Sequence, residues 1–113
     1  DHWADIRGEG SAAILTWGST AAAVREAAGR LAEAGIDVKV IATRLLMPAS
    51  PAKMAVALEG VERVLVVEQS HGEQFHRYLR AYYDINAEMK VLARPGPLLI
   101  TAGEIVEQFE EWS

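Results

Sequence analysis

At 113 residues, with half of them hydrophobic and 24% charged, the chain is sized and composed for one folded domain with a modest core. Its formal charge of −5, with Lys and Arg scattered along the chain, excludes the clustered basic footprint that nucleic acid requires. It has no cysteine, which removes disulfides, iron–sulfur ligation and thiol catalysis from these residues.

The first ten residues are a mixed lead segment, read as an edge strand over Trp3 to Glu9. Ser11 to Trp17 is a short apolar strand, turned by Gly18-Ser19-Thr20. Ser19 or Thr20 is placed to cap a helix running to Glu33 or Ala34. Val24, Ala27, Ala28, Leu31 and Ala34 form its buried stripe, and Gly35 stands at the C-terminal cap. Gly29 inside that stripe suggests a close approach to the sheet. Asp37 to Thr43 is a second β-branched strand. The linker Arg44-Leu45-Leu46-Met47-Pro48 follows, and Ser50-Pro51 opens a helix to about Glu59. Arg63 to Val67 carries four consecutive apolar residues, as suits a strand buried on both faces. A helix from about Gly72 to Tyr83 places Phe75, Tyr78, Leu79 and Tyr82 on one face. Lys90 to Ala93 is a short strand, and Arg94-Pro95-Gly96-Pro97 breaks the chain. Thr101 with Glu104 is a capping box opening a last helix whose apolar face is Ile105, Val106, Phe109 and Trp112. Strands alternating with helices predict a three-layer α/β/α fold with a mostly parallel sheet and right-handed crossovers. No segment approaches the ~20 apolar residues of a membrane span, and none reads as a signal peptide.

No complete catalytic kit emerges. Gly18-Ser19-Thr20 matches neither a Walker loop nor GxGxxG, and no Lys follows it, so a capped turn is the simpler reading. Glu68, delivered to the carboxyl edge of the sheet beside Gln69, Ser70 and His71, could act as a general acid or base. The plainer role is a carboxylate held by backbone N–H groups or paired with an Arg, including across a subunit interface. His2, His71 and His76 lack metal-ligand spacing.

The order of several short segments resembles a known family. These are Trp17-Gly18-Ser19-Thr20 with Ala23-Val24-Arg25-Glu26-Ala27, the Arg44 to Pro48 linker, and Val66 to Phe75 with Arg77-Tyr78-Leu79-Arg80. Pro95-Gly96-Pro97-Leu98 ahead of Glu104-Ile105 completes the set. From Ala12 to about Trp112 the chain is similar to the C-terminal domain of the alpha subunit of 2-oxoacid:ferredoxin (acceptor) oxidoreductases, the 2-oxoglutarate type above all. Where Ser70 and Glu73 stand, that family commonly carries asparagine and glycine. The resemblance implies a transketolase C-terminal-like fold: five strands, four parallel and the first antiparallel, with the strands ending at Trp17 and Val67 side by side at the topological switch point. It also implies a parent enzyme that oxidatively decarboxylates a 2-oxoacid to acyl-CoA, using thiamine diphosphate, magnesium, an iron–sulfur cluster and coenzyme A, with ferredoxin as acceptor.

The chain lacks the Gly-Asp-Gly…Asn diphosphate motif, so the expectation is a non-catalytic assembly domain that binds no cofactor or metal itself. It opens on Asp1 rather than Met and is expected to be excised from the C-terminal end of a longer cytoplasmic subunit. Its expected partners are the pyrimidine-binding domain of the same subunit and a beta subunit, with Ser19, Arg44, Glu68 and Gln74 as the interface candidates. The rivals are the equivalent domain of deoxyxylulose-phosphate synthase or of a 2-oxoacid dehydrogenase beta chain, and a free-standing flavodoxin- or receiver-like module. The first strand ends in Trp17-Gly18-Ser19 rather than in an acidic cluster, which argues against a receiver.

Overall fold

A computed structural model describes residues 3–44, 49–70, 73–95 and 98–112. Residues 45–48 of the linker, His2, His71, Gly72, Gly96 and Pro97 lie outside the described residues, as does the side chain of Ser19. The chain alternates β1 (Ala4–Arg7), β2 (Ala12–Trp17), a 3-10 turn (Gly18–Thr20), α1 (Ala21–Glu33), β3 (Val38–Thr43) and α2 (Pro51–Ala57). It continues through β4 (Arg63–Glu68), α3 (Gln74–Tyr82), β5 (Glu88–Ala93) and α4 (Ala102–Trp112).

The five strands form one sheet in the order β1-β3-β2-β4-β5, with β1 antiparallel to β3 and the other neighbours parallel. In register, Ile14 lies between Val40 and Leu65, and Leu15 between Ile41 and Val66. Because side chains alternate across a strand, this alignment sorts the apolar residues into two cores. Ile14, Val40, Leu65 and Val67 pack with Val24, Leu31, Ile105 and Phe109 beneath α1 and α4. Leu15, Ile41, Val64 and Val66 pack with Met54, Phe75 and Leu79 beneath α2 and α3. The helices thus cover both faces, as the apolar run of β4 predicts.

Local signals hold at most ends. Gly35, at φ +87°, closes α1 in a Schellman motif: its N–H donates to the Ala32 carbonyl and that of Ile36 to the Leu31 carbonyl, at 3.0 and 2.8 Å. The capping box forms as read, with Glu104 N–H donating to Thr101 Oγ1 (3.2 Å) and Thr101 N–H to Glu104 Oε1 (3.0 Å). Other details differ. β5 begins two residues earlier than expected, and α2 ends at Ala57. Neither Thr20 nor Ser50 makes a side-chain capping bond. Gly29 does not bring the helix against the sheet: a Cβ there would meet nothing within 4 Å, because the position opens onto a surface cavity beside Gly8 and Val40. Tyr82 is exposed and Tyr83 is buried, its phenol accepting a hydrogen bond from Ser50 N–H at 2.9 Å. The helix ends at Tyr82, and the extended backbone of Tyr83 turns that ring inward.

Candidate functional site

The chain passes from β2 to β3 on one side and then crosses to β4 on the other, so the switch point lies between the carboxyl ends of β2 and β4. Threonines at the strand ends lace this edge together. Thr43 Oγ1 donates to the Thr16 carbonyl (3.2 Å) and Thr16 Oγ1 to the Val67 carbonyl (3.0 Å). Thr20 returns from the 3-10 turn to bond both Thr16 Oγ1 and the Trp17 carbonyl. Each of these threonines ends or follows an apolar strand run, a signal present in the sequence but not assigned there.

Glu68 ends β4 on the α3 side and is only 1% exposed. Its Oε2 accepts the His76 N–H of the first turn of α3 at 3.1 Å, while Oε1 has no hydrogen-bond partner among the described residues. Burial raises the Glu68 carboxyl above its ordinary value, and the Phe75 and His76 N–H groups pull the other way. Ser70 Oγ is also buried and has no hydrogen-bond partner among the described residues. Glu73, just before α3, sits in the left-handed region at φ 54°, and its Oε1 lies 3.1 Å from His76 Nδ1.

The neighbouring residue Gln69, on the opposite face, holds the segment after β5. Its Nε2 donates to the carbonyls of Arg94 (3.0 Å) and Leu98 (2.8 Å), and its Oε1 accepts the Ile100 N–H (2.9 Å). Arg94 adds a two-pronged pair with Glu104 and a bond to the Leu99 carbonyl at 3.1 Å. Arg94, then the Thr101 N–H, lower the Glu104 carboxyl to about 2. These bonds hold the segment that carries Leu98 and Leu99, 73% and 69% exposed, on the α4 side, while Trp17, 42% exposed, stacks on Phe75 on the α3 side.

The four candidates fall along this edge without converging. The turn containing Ser19 packs against β4. Arg44 follows β3 and is exposed, its N–H donating to the Trp3 carbonyl at 2.8 Å. Gln74 is the exposed first residue of α3, and Glu68 points inward under that helix. Gln69 is the residue that reading by composition missed, since its three bonds reach 25 to 31 positions along the chain. The donors among the described residues do not fit a resident metal or cluster. No cysteine is present, and among the described residues no group of three His, Asp or Glu converges.

Residues 2–97 match the family described as transketolase, C-terminal domain. The chain is 34% identical over 90 residues to the alpha subunit of 2-oxoacid:ferredoxin oxidoreductase 2 of Aeropyrum pernix, covering 77% of this chain and 14% of that protein. It is 37% identical over 68 residues to the 1-deoxy-D-xylulose-5-phosphate synthase of Geobacillus thermodenitrificans, covering 60% of this chain and 11% of that one. Among solved structures, it superposes with a TM-score of 0.82 and 30% identity on the 2-oxoglutarate:ferredoxin oxidoreductase of Magnetococcus marinus, determined with 2-oxoglutarate, coenzyme A and succinyl-CoA bound. That match takes in 95% of this chain and 19% of the other. The chain therefore spans less than a fifth of the length of each of these relatives.

Proposed function

The chain belongs to the transketolase C-terminal domain family, and from that premise we propose that it is the C-terminal assembly domain of a 2-oxoacid:ferredoxin oxidoreductase alpha subunit. It supplies shape and contact to a cytoplasmic enzyme that converts a 2-oxoacid to acyl-CoA, while thiamine diphosphate, magnesium, the iron–sulfur cluster and coenzyme A are held by other modules. The observation that carries this reading is the apolar, rigidly held carboxyl edge. Leu98 and Leu99 are adjacent and exposed there, held by Gln69 and Arg94, and a neighbouring domain or subunit that covers them would remove this apolar surface from water. Ser19, Arg44 and Gln74 frame that contact, and Glu68 braces α3 behind it. The pyrimidine-binding domain of the same subunit and a beta subunit are the neighbours in this reading, with ferredoxin receiving electrons from the whole enzyme.

Two measurements test it. In the full-length alpha subunit, changing Leu98→Glu and Leu99→Glu together should release the beta subunit in gel filtration, while the same changes leave the thermal melt of the 113-residue chain unaltered. An intact complex would sink the assembly role. Calorimetry of the 113-residue chain with thiamine diphosphate and magnesium should give no heat of binding, and micromolar affinity would overturn the non-catalytic assignment. The second reading, the matching domain of a 1-deoxy-D-xylulose-5-phosphate synthase, draws on a 37% identity but over 60% of the chain rather than 77%. The reading frame upstream of Asp1 decides between them.

A further inference from the structure

A file of aromatic rings crosses the α3 side of the domain. Trp17, at the carboxyl end of β2, stacks on Phe75 at 6.4 Å between ring centres and 21° between planes. Phe75 stacks on Tyr78 at 6.3 Å and 12°, and Tyr78 meets Tyr82 at 5.1 Å. The two ends are exposed to water, Trp17 at 42% and Tyr82 at 48%, whereas Phe75 is buried and Tyr78 half-buried. Trp3 and Trp112 are buried, which makes Trp17 the indole that a soluble oxidant meets first.

We propose that Trp17, Phe75, Tyr78 and Tyr82 form a relay that carries a one-electron oxidation from the carboxyl edge of the sheet to the far end of α3. It requires only that Trp17 stay open to water at the end of β2. An indole reacts fastest with small one-electron oxidants, but at neutral pH its radical is a stronger oxidant than a tyrosine phenoxyl, which fixes the direction. Phenylalanine is too hard to oxidise to hold the charge, so Phe75 serves as a bridge between Trp17 and Tyr78. Tyr78 is half-buried among Phe75, Tyr82 and Tyr83, a poorer place to release a proton than open water. Tyr82 is in water and can release its proton there. A small inorganic radical takes one electron from Trp17, which loses its indole proton to water. An electron then passes from Tyr82 through Tyr78 and Phe75 to the Trp17 radical, which regains a proton from water as the Tyr82 phenol loses one. A thiol or ascorbate-class reductant finally returns a hydrogen atom to Tyr82.

Pulse radiolysis of the 113-residue chain in azide buffer, which generates azide radicals, tests this directly. The indole-radical absorbance should decay and the phenoxyl absorbance grow with one shared first-order rate, independent of protein concentration. Trp17→Phe should remove the fast indole signal, and Tyr82→Phe should abolish most of the phenoxyl growth while preserving the melt. Phe75→Leu should slow the transfer without lowering the initial indole yield. If growth persists unchanged in Tyr82→Phe, or depends on protein concentration, the relay is overturned. If Phe75→Leu leaves the rate unchanged, the assigned path is overturned as well.

Discussion

Glu73 carries the one positive φ among the described non-glycine residues. At φ 54° it holds a side chain in the left-handed region, a strain of about 1–2 kcal/mol. Its exposed contact with His76 returns only a few tenths of a kcal/mol, as exposed pairs do. Glu73→Gly should therefore stabilise the domain by about 1 kcal/mol, read as a higher urea midpoint. Two other carboxyls give opposite pH dependences. Glu68 is raised by burial above its ordinary 4.5, so the folded state binds that proton more tightly than the unfolded chain does. Its contribution is full below 4.5 and is lost as pH rises through the elevated folded value. Glu104 is lowered from 4.5 to about 2, so its contribution is full above 4.5 and is lost as pH falls toward 2. Urea titrations across pH should show Glu68→Gln flattening the slope above 4.5 and Glu104→Gln flattening the slope below it. Unchanged slopes would refute both assignments.

Among the elements, α4 has the best-defined start. Thr101→Ala removes the hydroxyl that accepts the Glu104 N–H and should cost about 1 kcal/mol, measurable as a lower urea midpoint with an unchanged m-value. That cap was legible because Thr101 and Glu104 are three residues apart and need nothing beyond local geometry. The same holds for Gly35 after α1 and for the apolar run of β4, whose burial on both faces follows from composition alone. The side-chain cap read at Thr20 does not form because its hydroxyl bonds back to Thr16 and the Trp17 carbonyl, and Ser50 makes no side-chain capping bond. Tyr82, expected on the apolar face, is exposed while Tyr83 is buried, since helical periodicity cannot foresee that the helix stops between them.

For the whole molecule, the position of the candidate edge was legible, because alternating strands and helices with a crossover create a switch point wherever they occur. Its furnishing was not. The Gln69 clamp, the threonine lacing and the inward turn of Glu68 all join residues distant along the chain, and only the folded register brings them together. The division of the interior by the sheet has a further consequence. Ile105 belongs to the core under α1 and α4, and Ile41 to the core under α2 and α3. Ile105→Val and Ile41→Val should each cost about 1 kcal/mol, and the double variant should equal their sum to within about 0.5 kcal/mol. A larger coupling would mean that the sheet transmits repacking from face to face. If the sum holds, each half of this domain can drift in sequence on its own. Selection could then remake the Leu98–Leu99 contact for a new neighbour while leaving the Trp17-to-Tyr82 ring file intact.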